Sequence, residues 1–170
     1  MSVGTTRIKG TAGASMDITA FLAGDLSERR VPAIINLKQL IYGDGVSSVE
    51  IVYADKITLS DGGNETLDLF DGGLLDIFGR PLTMAAIKLL YVENTSTDSG
   101  LTIGGKVDND LLIFADTSDK VYIPAGGTFL WLCPTAAGVV TTARKNLYLL
   151  DDGTGAAGDK FIEVIAMGLD

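Results

Sequence analysis

The sequence predicts an all-β fold, a two-sheet antiparallel β-sandwich with an extended N-terminal arm. Short apolar runs alternate at period two, turns rich in Gly and Asp interrupt them, and no long stretch carries a strong helical repeat of apolar residues. The organising segment is 84–134, where residues 84–93, 111–115 and 128–134 are expected as strands. In the last of these, Phe129, Trp131 and Cys133 fall on one face and Leu130 and Leu132 on the other. Both faces are apolar. The second is therefore expected to lie under an arm, a second sheet or a neighbouring subunit.

Taken in order, residues 1–19 are mostly small or polar and bury too little to fold alone, which predicts an extended arm. Residues 20–30 (AFLAGDLSERR) have the makings of a short helix, weakened by Gly24 and limited by Pro32. We place the arm at 1–33 and the sandwich domain at 34–170. Residues 36–42 and 48–59 flank Gly43, Asp44 and Gly45 and are expected to form a hairpin. In the second strand Val49, Ile51, Tyr53, Ile57 and Leu59 share one face, opposed by Glu50, Lys56 and Thr58. A one-residue slip would expose all five, so the register should be fixed.

Residues 66–70 form a short strand between two turns built from Asp and Gly. Residues 74–81 (LLDIFGRP) make an irregular corner or a single helical turn, because Gly79 accepts positive φ and Pro81 forbids continuation. Leu74, Ile77 and Phe78 are expected to plug one end of the sandwich. Residues 84–93 cross the core, with Ile87, Leu89 and Tyr91 on one face and Leu90 and Val92 on the other. Lys88 interrupts the pattern, which predicts an edge position or a side chain reaching past its neighbours to water. Shorter strands follow at 101–103, 121–123 and around Val139 and Val140. Strands 146–150 and 160–166 form the last pair, joined by a mobile loop at 151–159. Eight or nine short strands fit a jelly roll better than a seven-stranded immunoglobulin sandwich, whose Cys…Trp…Cys spacing is missing.

Composition then limits the chemistry. Hydrophobic residues at 46% and charged residues at 21% exclude disorder, and no apolar run reaches the length of a membrane span. The opening MSVGTTRIKG lacks the apolar segment of a secretory signal, so synthesis in a cytosol is expected. Histidine is absent and Cys133 is the single cysteine, which removes zinc chemistry, an intrachain disulfide and the commonest base for a Ser or Cys nucleophile. Cys133 reads as a small buried hydrophobe. No G-x-S-x-G, S-x-x-K or phosphate-loop pattern is present, and Asp151-Asp152 and Asp108-Asn109-Asp110 sit where turns favour Asp. No enzyme activity, catalytic residue or cofactor is expected. Asp108, Asn109, Asp110, Asp116 and Asp119 offer hard oxygens for calcium, but their spacing is not an EF-hand and solvated turns explain them. No metal site is expected.

A net charge of −9 argues against a nucleic-acid surface. Within 1–33, however, Arg7, Lys9, Arg29 and Arg30 outnumber Asp17, Asp25 and Glu28, so the acidity belongs to the body. Tyr91, Leu130, Leu132, Tyr148 and Leu150 are more apolar sandwich residues than a small domain shows to water, each contributing about 2 kcal/mol if buried. The candidate interface joins Tyr91, Leu130, Leu132 and Tyr148 with Arg7, Lys9, Phe21, Leu22, Arg29 and Arg30 of the arm.

Over roughly residues 49–168 the sequence resembles the jelly-roll capsid cement or decoration proteins of tailed bacteriophages. The resemblance is carried by Asp55, Leu59, Glu65, Leu67, Asp68, Leu69, Leu74, Asp76, Phe78 and Gly79. It continues through Ile87, Lys88, Gly104, Gly105, Pro124, Gly126, Gly127, Phe129 and Pro134 to the final strand ending at Gly168. It implies a non-enzymatic virion protein, made in the host cytoplasm, that binds the capsid exterior and bridges neighbouring major capsid subunits against internal DNA pressure. It also implies a homo-oligomer, a dimer or trimer, with no membrane or nucleic-acid partner. The alternative is a tail, fibre or head-spike sandwich that binds a host or a carbohydrate.

Overall fold

A computed structural model describes residues 10–16, 35–41, 49–106, 110–114, 116, 118–133 and 137–170. The described strands are β1 (Gly10–Met16), β2 (Ile35–Ile41), β3 (Ile51–Leu59), β4 (Asn64–Asp68), β5 (Ala86–Asn94) and β6 (Leu101–Gly104). They continue with β7 (Lys120–Ile123), β8 (Thr128–Leu132), β9 (Val139–Val140), β10 (Asn146–Asp151) and β11 (Lys160–Leu169). The chain is all-β, a sandwich of two antiparallel sheets in the order β3-β11-β5-β8 and β4-β10-β6-β7, with β9 beside β5. A separate ladder pairs β1 with β2, from Gly10 opposite Ile41 to Met16 opposite Ile35.

Alternation explains how the sheets bury their inner faces. Ile51, Tyr53 and Leu59 of β3, Leu90 and Val92 of β5, and Ile162, Val164 and Ala166 of β11 meet Leu67, Ile103, Leu147 and Leu149 of the other sheet in one core. Phe129 and Trp131 of β8 pack against that core while Leu132 faces away from it, as period two requires.

Partner choice departs from expectation. The strand within 36–42 exists but pairs with β1, and β3 pairs along its whole length with β11. The expected β2–β3 hairpin is replaced by a ladder between the first and last strands of the sandwich. Likewise β10 and β11 are not partners: β10 lies between β4 and β6, and β11 between β3 and β5, so residues 152–159 carry the chain from one sheet to the other. Alternation fixes which face a residue uses, not which strand lies next to it. The expected helix at 20–30 lies outside the described residues.

Three local expectations are also corrected. Residues Leu112–Phe114 form a 3-10 turn in place of a strand; Leu111 enters the core, Ile113 packs against it and Leu112 is exposed. Val49 precedes the regular ladder and packs with Val52 and Leu89 on the far side of the sheet, apart from Ile51 and Tyr53. Finally, Lys88 lies within the central strand β5 and is only 5% exposed. Leu89 stands opposite Met167 and Ile87 opposite Gly168, so Lys88 is the additional residue of a β-bulge. The bulge reverses the side-chain phase. Ile87 therefore joins Leu90 and Val92 in the core, and only Leu89 and Tyr91 take the opposite face.

Candidate interaction surface

The outer face of the five-stranded sheet carries a second apolar cluster. Val49, Val52 and Leu89 are buried there, with Tyr91, Leu132, Ile165 and Met167 packed around them. The ladders set these residues in rows. Val52, Met167, Leu89 and Leu132 form one row, and Ala54, Ile165, Tyr91 and Leu130 form the next. The first row is the more covered; in the second, Leu130 is 37% exposed and Tyr91 and Ile165 are half-buried.

The following row is charged. Lys56 faces Glu163, Glu163 faces Glu93, and Glu93 faces Thr128. Two carboxylates directly opposite each other on adjacent strands repel. The Lys56 ammonium lies 4.9 Å from the centre of the Phe161 ring. Tyr91 donates its hydroxyl to Glu93, and this bond, with burial and the carboxylate's charge, raises the phenol above its ordinary pKa. At the same edge Asp55 accepts the backbone N–H of Lys56 at 2.8 Å, occupying a donor that another strand would need.

Beside β3 lies the corner at 74–81. Leu74 packs against the core as expected, but Ile77 and Phe78 do not plug the sandwich; they are 51% and 53% exposed, and Leu75 is 59% exposed. The reason is Asp76, whose side chain is fully buried beneath the loop. Its carboxylate accepts the N–H groups of Phe78 at 2.9 Å and Arg80 at 2.8 Å, and Arg80 Nε at 2.7 Å. Burial pushes the Asp76 pKa up, but these donors and the Arg80 charge outweigh it and hold the group below its ordinary value. Asp76 N–H donates to the Arg80 carbonyl at 2.8 Å, and Ile77 N–H donates to the Val52 carbonyl at 3.0 Å. The corner is thus rigid, turns at Gly79 with φ of 77°, and is fastened to the β3 edge. The Arg80 guanidinium lies 5.5 Å from the Phe78 ring centre.

The structure brings together three of the ten candidate interface residues, Tyr91, Leu130 and Leu132. Tyr148 belongs to β10 in the other sheet, where the Lys106 ammonium lies 5.2 Å from its ring centre. Arg7, Lys9, Phe21, Leu22, Arg29 and Arg30 lie outside the described residues. Sequence reasoning missed Leu75, the exposure of Ile77 and Phe78, and the Glu93–Glu163 pair. The alternation of Phe161, Glu163, Ile165 and Met167 marked the outer face of β11, but the opposed carboxylates depend on a register that only the fold supplies.

The acidic turns serve the backbone. Asp116 N–H donates to the Asp119 carboxylate and Ser118 N–H to that of Asp116, each at 3.2 Å. Asp151 is buried and accepts from Ser99 Oγ and Gly62 N–H. Lys160 binds Asp98 at 2.9 Å and the Ala156 carbonyl at 2.7 Å, anchoring the 151–159 loop that the sequence left mobile. Asp110 is buried, with one carboxylate oxygen accepting from Lys106 N–H and the other without a hydrogen-bond partner among the described residues. Asp108 and Asn109 lie outside the described residues. Among the described residues no three His, Cys, Asp or Glu side chains gather where they could hold a metal ion. No described helix is long and apolar enough to cross a membrane.

Compared with known proteins, the chain matches no family model, and no curated protein matches it in sequence.

Proposed function

We propose that this chain is a non-catalytic virion protein that binds the outer surface of a phage capsid and cements neighbouring major capsid subunits. The observation that carries the reading is the outer face of the β3-β11-β5-β8 sheet, where Leu130 is 37% exposed and Tyr91 and Ile165 are half-buried beside the buried Val49, Val52 and Leu89. Apolar surface of this kind, bordered by charged residues, is what a protein-binding face looks like. A cement protein relies on many modest contacts repeated by symmetry, so that avidity holds what one interface would not. The strand orders β3-β11-β5-β8 and β4-β10-β6-β7 support a jelly-roll winding of eight strands, in keeping with the sequence resemblance. An acidic body avoids scavenging packaged or free nucleic acid.

The test is rebinding. Particles stripped of the protein are mixed with purified chain and challenged by heat; restored resistance, with density on the shell lattice in electron micrographs, supports the reading. Failure to rebind overturns it, and density on the tail would favour the tail or spike alternative.

A further inference from the structure

We infer that the outer face of the four-stranded sheet binds a neutral glycan, with Tyr122 as the platform for a pyranose ring and Asp152 as an acceptor for its hydroxyls. The inference goes beyond the capsid reading and stands on other residues, on the opposite side of the sandwich.

The platform is exposed and yet fixed. Alternation sends Leu101 and Ile123 into the core and turns their neighbours Thr102 and Tyr122, which stand opposite each other, outward. Tyr122 lies on β7, an edge strand of its sheet, is 58% exposed and packs in neither apolar cluster. Its ring is nevertheless held. A Cβ on Gly100 would collide with the Tyr122 hydroxyl, the ring edge beside it and Asp152 Oδ2, so the bare backbone of Gly100 is the seat on which phenol and carboxylate meet. The Tyr122 hydroxyl donates to Asp152 Oδ2 at 3.2 Å. An exposed ring already held in place loses little conformational freedom on binding.

Asp152 is fastened through its other oxygen. Oδ1 accepts the Thr154 N–H at 2.9 Å, the Thr154 hydroxyl at 2.6 Å and the Ser99 hydroxyl at 3.4 Å, while Asp152 N–H donates to the Gly100 carbonyl at 3.0 Å. The Thr154 hydroxyl leads in holding the carboxyl below its ordinary value, so the group is anionic at neutral pH. Among the described residues Oδ2 accepts only the phenol, and a carboxylate oxygen has room for a second donor.

This pair has the chemistry of a sugar site. A pyranose presents C–H groups on one face and hydroxyls around its rim; the C–H face settles on the aromatic ring, whose face carries negative charge. Adjacent hydroxyls then donate to Asp152 Oδ2 and to the phenol oxygen. An arginine from a protein partner matches less well, because its planar fork takes both carboxylate oxygens and Oδ1 is already filled. A sialylated glycan meets the Asp152 charge beside the ring, whereas Lys120 shares the face one row away. Thr102, Leu150 and Asn64 continue the row from Tyr122 across the sheet, a strip along which further sugar units can lie. A chain seated on a shell through the β3-β11-β5-β8 face turns this strip outward. One such contact is weak, with a Kd on the order of 1 mM, and copies repeated over a particle multiply it.

The full chain, biotinylated and clustered on streptavidin, is applied to an array of neutral and sialylated oligosaccharides. The strongest neutral hit is then titrated against the unclustered chain by saturation-transfer NMR. Tyr122→Ala and Asp152→Asn should each weaken binding about tenfold or more, and Tyr122→Trp should retain it, with Tm and circular dichroism unchanged in both Tyr122 variants. Absence of any neutral hit overturns the inference, as does binding confined to sialylated glycans or binding indifferent to Tyr122→Ala and Asp152→Asn. Rebinding to stripped heads is measured separately, and Tyr122→Ala should rebind like the wild type, so glycan binding and capsid attachment can fail independently.

Discussion

Gly168 lies so close to Ala86 that a Cβ on it would collide with the Ala86 carbonyl oxygen and with the side chain of Met84. Gly168 stands opposite Ile87, at the register shift where Lys88 is the additional residue of β5. We expect Gly168→Ala to cost about 3 kcal/mol in urea unfolding, the range of an overpacked core. Gly126→Ala provides the contrast. Nothing among the described residues stands within 4 Å of a Cβ there, and the φ of 68° alone should cost about 1 kcal/mol.

Asp76 makes the corner sensitive to acid. Its carboxyl is held below the ordinary carboxylate value, so its contribution is present above about pH 4 and is lost as the pH falls through the folded value. Asp76→Asn should lower stability at pH 7 by about 2 kcal/mol and flatten the acid limb of a plot of Tm against pH.

Asp110 works in the opposite direction. Burial raises its pKa, although Lys106 N–H and the charges of Lys106 and Arg144 favour the anion. A raised carboxyl stabilises the fold below its unfolded value, and that contribution fades as the pH rises from about 4 through the folded value. Asp110→Asn should remove this decline, which thermal melts between pH 4 and 7 would reveal. An unchanged slope would rule the assignment out.

Core and outer face should respond unequally to truncation. Leu90→Ala and Leu149→Ala, at fully buried positions, should each cost about 2–5 kcal/mol. Leu130→Ala, on the partly open row, should cost under about 1 kcal/mol in the isolated chain. Equal losses would mean that Leu130 is packed as tightly as the core.

The sandwich was legible because burial follows alternation. Ile51, Tyr53 and Leu59 share one face of β3, and the split of Phe129 and Trp131 from Leu132 holds in β8. What alternation could not reveal was non-local. The pairings of β3 with β11 and β2 with β1 depend on segments far apart in the chain or not predicted as strands. The phase of β5 failed at Lys88 because a bulge inserts a residue without any composition signal, and a lysine inside an apolar run suggests an edge. At 74–81, Leu, Ile and Phe suggested a plug, yet hydrophobicity cannot tell that Asp76 takes the buried position and turns its neighbours outward. Of the candidate surface, Tyr91, Leu130 and Leu132 were legible because their strands are apolar on both faces. The carboxylate row and the corner required the register.

The ladder between β3 and β11 has a practical consequence for engineering. Glu50 N–H donates to the Gly168 carbonyl at 2.8 Å, so the chain enters and leaves the sandwich side by side. A short linker could join these two points, and new termini opened among the exposed residues 153–159 would give a circular permutant with every sandwich strand intact.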